Sequence, residues 1–248
     1  MNYSHVLCFG DSTPSGMELI HPFNPTTLAG WGRTKQLSYP NQLSNMLGVP
    51  CINLAEPGYN NDRSLRLLPE ALLTYPNSLV LFNYTYWNRT EFFTLNPNLP
   101  QLVSEGYVSL GTNQTSAPGS DDHKHMNEMY LKYFYENPDG HNRYRQYNMI
   151  LTVQLFCEQF SKNYLQIFPY NGLFLSPVYQ EIVYNTIDKS HIYQFDHAND
   201  NISWDQNNEG FGSLEHWARS NKYAFGPMNH ILHEAHNQFA LDLYERVK

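Results

Sequence analysis

His5-Val6-Leu7-Cys8-Phe9-Gly10-Asp11-Ser12 is a short apolar run that empties into a turn. Its length and β-prone residues predict a buried strand, and the glycine and aspartate stop it. In an open parallel sheet, ligands bind outside the carboxyl ends of the strands. A hydroxyl just past the first strand, that of Ser12, therefore sits where chemistry is done. The other reading is a capped turn, with Asp11 and Ser12 bonding nearby backbone amides.

Working outward, strand and helix signals alternate. Residues 39–47 predict a helix, with Pro40 near its start and Gly48 at its C-terminal stop. Residues 50–54 predict a second strand. Residues 61–73 predict a helix capped by Asn60 or Asn61, with Leu65, Leu68, Leu72 and Leu73 as its apolar stripe and Pro69 as a kink or break. Residues 78–83 predict a third strand. Strand, helix, strand, helix, strand at this spacing implies parallel pairing with right-handed crossovers.

The middle, about residues 95–140, breaks the alternation. It is polar and reads as an insertion or lid, helical over 122–135 because a structureless loop of that length is uncommon in a compact domain. A long helix is predicted over 142–161, with Tyr144, Tyr147, Ile150, Leu151, Val153, Leu155 and Phe160 apolar. A fourth strand over 165–175 is bent or broken by Pro169 and Gly172. Residues 176–225 are aromatic and irregular. A last helix over 233–246 turns Phe239, Ala240, Leu243 and Tyr244 inward.

The chain of 248 residues suits one sizeable α/β domain. Its 41% hydrophobic and 15% charged residues describe a globular protein, unusually rich in tyrosine, phenylalanine and asparagine. A formal net charge of −8 with no basic stripe argues against nucleic acid as a partner. The start of the sequence lacks the basic segment and long apolar run of a signal peptide, and no run approaches a membrane span. The expectation is a cytoplasmic protein that does not engage membranes, leaving the cell by lysis or on a particle if at all. Cys8, Cys51 and Cys157 are odd in number and without close pairing, which reads as apolar filling.

Near the C-terminus stand His230, His233 and His236. Together with the turn after the first strand they resemble the SGNH hydrolases, or GDSL esterases and lipases, whose four sequence blocks each contribute one site residue. Phe9-Gly10-Asp11-Ser12 is similar to the first block, with Thr13 in place of the usual leucine. The resemblance makes Ser12 the nucleophile and its amide part of an oxyanion hole, with Asp11 supporting. Ile52-Asn53-Leu54-Ala55-Glu56-Pro57-Gly58 looks like the second block and implies that Gly58 offers a second amide, which suits a residue without Cβ.

The third block should read Gly-x-Asn-Asp. Here Leu81-Phe82-Asn83-Tyr84-Thr85-Tyr86-Trp87-Asn88-Arg89 lacks the glycine, leaving Thr85 or Asn88 as the third oxyanion donor, with Arg89 and Glu91 holding the loop. The fourth block should read Asp-x-x-His. His230 is the implied base, but Pro227 occupies the acid position. The alternatives are a Ser-His dyad, its tautomer fixed by a backbone carbonyl or Asn229, or a carboxylate brought from elsewhere, such as Asp196, Asp205 or Glu215.

The resemblance implies a three-layer α/β/α sandwich with a central parallel sheet, flavodoxin-like, and a serine esterase without a cofactor. Its expected substrate is a short acyl group on a carbohydrate or another small ester. Two other readings compete with it. One is a catalytically weakened glycan-binding or particle-associated protein of the same fold. The other is a metal-dependent hydrolase, in which two of the three histidines, sharing a helix face, bind zinc with a third ligand, His216 or a carboxylate.

Overall fold

The computed structural model describes residues 3–19, 35–86, 89–93, 107–110, 121–136, 141–161, 163–170, 186–195, 212–226 and 229–248. In chain order the elements are β1 (Val6–Phe9), α1 (Tyr39–Leu47), β2 (Cys51–Asn53), α2 (Asn61–Thr74), β3 (Leu79–Asn83), β4 (Thr90–Phe93) and β5 (Tyr107–Leu110). They continue with α3 (Asp121–Glu136), α4 (His141–Phe160), β6 (Tyr164–Ile167), a 3₁₀ turn (Lys189–His191), α5 (Leu214–Ser220) and α6 (His233–Val247).

Four strands form one parallel sheet in the order β2-β1-β3-β6. Val6 lies opposite Cys51 on one side and Leu79 on the other, and Val80 lies opposite Tyr164. Because successive side chains of a strand point to opposite faces, each strand feeds two cores. Leu7, Phe9, Val80 and Phe82 pack with Leu68 and Leu72 of α2 and with Tyr147, Ile150 and Val153 of α4. Val6, Cys8, Leu79 and Leu81 pack on the opposite face with Tyr39 and Leu43 of α1 and with Phe239, Ala240 and Leu243 of α6. This is the expected α/β/α sandwich. Each fully buried leucine or phenylalanine in it contributes about 1.5–3 kcal/mol by leaving water.

The helix ends follow from their sequences. Pro40 stands in the first turn of α1, and Gly48 ends it in the left-handed conformation at φ 69°. Asn60 caps α2 by accepting from the amide of Arg63. Pro69 does not interrupt α2 as predicted. Leu68 and Ala71–Leu72 on either side are buried, so packing against the sheet holds both halves of the helix in line. The α2 stripe is Ser64, Leu68, Ala71 and Leu72, while Leu73, expected inside, is 67% exposed because it lies about 100° around from Leu72. Leu155 of α4 is exposed for the same reason.

The middle of the chain contains more order than its polarity suggests. The helix expected over 122–135 is α3, and ahead of it β4 and β5 pair antiparallel, with Thr90 opposite Leu110. Arg66 of α2 holds this hairpin through Glu91 at 2.9 Å, so Glu91 does not pair with Arg89. The fourth strand begins at Tyr164 and ends at Ile167, shorter than predicted and ahead of Pro169. Within the stretch read as irregular, Ser213 caps the short helix α5, whose Trp217 packs on Phe239. Cys8 and Cys157 are buried, and Cys51 is half-buried at the sheet edge. Burial pushes the thiols of Cys51 and Cys157 up to about 12, so they behave as small apolar groups. Among the described residues no helix is long and apolar enough to cross a membrane.

Candidate active site

The site lies past the carboxyl ends of β1, β2 and β3, where three loops are tied together by backbone. The amide of Leu54 donates to Cys8 O at 2.8 Å and that of Glu56 to Gly10 O at 3.3 Å, so the loop after β2 runs alongside the loop after β1. Asn61, at the start of α2, donates to Thr85 O and accepts from Thr85 N, which fastens the loop after β3. Gly10 has φ 143°, and a Cβ there would stand 2.7 Å from Pro14 Cγ and 2.8 Å from Asn83 Cβ. The turn therefore requires glycine on two counts.

Beyond Gly10 the chain coils through successive turns: Ser15 N donates to Asp11 O, Gly16 N to Thr13 O, and Met17 N to Ser12 O. Glu18 follows in the left-handed conformation at φ 66° and is fully buried. The second half of the site is a tight loop between Phe225 and Ile231, which bridge antiparallel. Gly226 N donates to His230 O, and Asn229 N to Gly226 O, with Asn229 at φ 64°. This loop turns the His230 ring onto the coil after β1.

His230 Nε2 lies 2.7 Å from Ser12 Oγ, and His230 Nδ1 lies 2.9 Å from Glu18 Oε2. The same carboxylate oxygen accepts the backbone amide of His230 at 3.2 Å. A Cβ on Gly226 would stand 2.6–2.7 Å from the Glu18 carboxyl group, so the glycine leaves the space that the acid fills. Glu18 was not among the carboxylates proposed from sequence. Glu215, which was, pairs with Arg219 at 2.7 Å, while Asp196, Asp205 and Pro227 lie outside the described residues. Asn229 is exposed, and Glu18 occupies the place by His230 Nδ1 that Asn229 was considered for.

A second buried cluster backs Ser12. Asp11 accepts from Arg89 Nη1 at 2.9 Å, from the Thr85 hydroxyl at 2.5 Å, and from the Tyr170 hydroxyl at 2.9 Å. Tyr170 Oη lies 2.8 Å from Ser12 Oγ and 2.9 Å from Thr13 Oγ1. Burial, and then the negative Asp11, push the Tyr170 phenol well above its ordinary range, so it stays protonated. Ser12 and Asp11 thus bond distant side chains, and the picture of a locally capped turn does not hold. The Thr85 hydroxyl has one proton, and that proton is engaged with Asp11 rather than facing a substrate oxygen. Gly58 has φ 81° with open space where a Cβ would be, and Asn88 lies outside the described residues.

The three C-terminal histidines do not share a ligand. His230 is engaged as above, His233 is exposed beside Asn237, and His236 is fully buried. His236 Nδ1 accepts the amide of Tyr39 at 3.0 Å, serving the first turn of α1, where the Ser38 side chain makes no capping bond and donates instead to Lys35 O. Burial, helped by His233 and His230 nearby, pushes its pKa down to about 3, so it is neutral. Among the described residues no three His, Cys, Asp or Glu side chains are grouped to hold a metal ion.

A serine hydroxyl, an imidazole and a buried carboxylate in line can remove a proton from the serine and return it to a leaving group. No family model matches the chain, and no curated protein matches it in sequence. Solved structures do resemble it. One is a member of the lipolytic protein G-D-S-L family from Veillonella parvula, at 9% identity and a TM-score of 0.45, covering 98% of each chain. Another is phospholipase A1 from Streptomyces albidoflavus, at 11% identity and 0.46, covering 100% of both. A third is an acetyl xylan esterase from Butyrivibrio proteoclasticus, at 13% and 0.45, covering 99% of this chain and 64% of the other. The chemistry rests on the side chains.

Proposed function

We propose that the chain is a divergent SGNH hydrolase that cleaves carboxylic esters through Ser12, His230 and Glu18. The observation that carries this reading is the unbroken line from Ser12 Oγ to His230 Nε2 at 2.7 Å and from His230 Nδ1 to Glu18 at 2.9 Å. In the neutral imidazole, the proton on Nδ1 faces the carboxylate and the lone pair on Nε2 faces the serine, which is the tautomer a general base needs. Ser12 Oγ attacks the ester carbonyl while His230 takes its proton. The amides of Ser12 and Gly58, with Asn88, stabilise the oxyanion, and His230 then protonates the departing alcohol. Water releases the acyl group by the same steps in reverse order.

The substrate class follows from the chain's wealth of aromatic and amide side chains, which suit sugar rings, and from its polar insertion, which does not suit a long acyl chain. We assign it a short acyl group on a carbohydrate. The test is hydrolysis of p-nitrophenyl acetate, longer p-nitrophenyl esters and a peracetylated sugar by the wild type and Ser12→Ala. Activity on the acetyl esters that Ser12→Ala loses supports the reading, and equal rates in the two proteins overturn it. A preference for long chains would leave the nucleophile standing and overturn the carbohydrate assignment.

A further inference from the structure

The buried hydroxyl of Tyr170 touches the nucleophile but has no place in the mechanism above. It belongs instead to a chain of four contacts: His230 Nε2 to Ser12 Oγ, Ser12 Oγ to Tyr170 Oη, Thr13 Oγ1 to Tyr170 Oη, and Tyr170 Oη to Asp11 Oδ1. All four span 2.7–2.9 Å, and each needs one proton between its atoms. Asp11, paired with Arg89, only accepts, so the Tyr170 proton is directed to Asp11 and the Tyr170 oxygen is an acceptor. Thr13 supplies one proton to it. Ser12 has a single proton for two neighbours, His230 and Tyr170.

With a neutral His230, three hydroxyl protons must serve four contacts, and one oxygen pair is left facing lone pair to lone pair. With a charged His230, Nε2–H donates to Ser12, Ser12 to Tyr170, and every contact has its proton. We propose that Tyr170 is a positioning residue for the Ser12–His230 pair: it accepts the Ser12 hydrogen bond and so favours the charged imidazole, and once the imidazole has lost its Nε2 proton to solvent the Ser12 hydroxyl turns from Tyr170 to His230, which then acts as the base. This inference rests on the proposed roles of Ser12 and His230, but its prediction concerns equilibrium protonation and needs no turnover.

Among the described residues, the charged and titratable groups around His230 are Glu18 on the coil after β1, Asp11 and Arg89 behind Ser12, Tyr170 after β6, and His233 and His236 on α6. Of these, Tyr170 acts on His230 through the Ser12 hydroxyl, which gives the test its specificity. A neutral hydrogen bond contributes about 0.5–1.5 kcal/mol, so Tyr170→Phe should lower the His230 midpoint by about 0.4–1 pH. The sign is fixed: removing a partner of the charged form makes the imidazole easier to deprotonate.

The experiment is an NMR titration of the His230 ring in the wild type, Tyr170→Phe, Ser12→Ala and the Ser12→Ala/Tyr170→Phe double variant, without substrate. The expected result is a lowered midpoint in Tyr170→Phe and no further change when the same substitution is made in Ser12→Ala. An unchanged or raised midpoint in Tyr170→Phe overturns the proposal, as does an equal shift with and without Ser12. Tyr170→Phe leaves the Thr13 hydroxyl buried without its partner. Thr13→Val/Tyr170→Phe removes that orphaned hydroxyl, while Asp11, which loses the Tyr170 donor in both variants, keeps Arg89 and Thr85, and it must show the same lowered midpoint. If Ser12→Ala hydrolyses esters as fast as the wild type, the esterase reading falls while the titration still answers its own question.

Discussion

The coil after β1 and the loop between Phe225 and Ile231 divide the site unequally. The first carries Ser12 and Glu18, six residues apart and joined by backbone turns. The second supplies the imidazole, together with the glycine that leaves room for the Glu18 carboxyl. In the family that the sequence resembles, acid and base share the second loop. Here the carboxylate that faces His230 Nδ1 stands on the coil that carries Ser12, on a non-glycine residue in the left-handed region. The carboxylate's address along the chain is therefore free, provided that it is buried, faces Nδ1 and finds space.

The sharpest way to break this comparison is Glu18→Gln, which keeps the shape and removes the charge and one of the two acceptor oxygens. Loss of the orienting acid in the serine-protease triad costs about four orders of magnitude, and kcat/KM for acetyl esters should fall by about 10³–10⁴-fold. A loss under tenfold would return the protein to a Ser-His dyad. His236, on the helix after the second loop, gives the next effect, in stability. Its folded pKa is about 3 and its unfolded pKa about 6.5, so the unfolded chain binds the extra proton between those values. Unfolding free energy should decline as the pH falls from about 6.5 to about 3, by on the order of 4–5 kcal/mol from this group. Denaturant titrations of the wild type and His236→Leu across that range should show the slope flattened in the variant, and equal slopes would refute the assignment.

Gly226→Ala tests the space rather than the acid. Its Cβ must displace the Glu18 carboxyl, and a misplacement near 1 Å costs about 10²-fold in rate. Full activity in this variant would show that the carboxylate has freedom the packing does not suggest. The smallest effect is expected at Thr85→Val. Removing an oxyanion donor costs about 10²–10³-fold, whereas loosening one of three contacts on Asp11 should cost under tenfold. A loss in the higher range would return Thr85 to the oxyanion hole.

The parallel core was legible because its signals are local. Val6–Phe9 and Leu79–Asn83 are unbroken apolar runs, and Pro40, Gly48 and Asn60 mark helix ends through their own backbone preferences. The meeting of Ser12 with His230 was legible by position and order. Glu18 was not, since Ser15-Gly16-Met17-Glu18 carries no local pattern and its meaning comes from a contact across 212 residues. The usable signal lay in Pro227: once the customary acid position is blocked, the carboxylates flanking the nucleophile come next. Tyr170 was hidden similarly, in the middle of a segment read as a strand over 165–175 that in fact stops at Ile167.

Placing two of the three groups on one coil also simplifies assembly. The coil is set by turns between close neighbours in the chain, so a single long-range event, the seating of the loop ahead of α6, brings His230 to Glu18 and Ser12 across 212 and 218 residues. That loop is anchored by α6, whose Phe239 and Leu243 are among the most deeply packed residues of its face of the sheet. Ester hydrolysis would then report the docking of the last helix, and a polypeptide cut ahead of α5 would hold nucleophile and acid in one piece and await the base from the other.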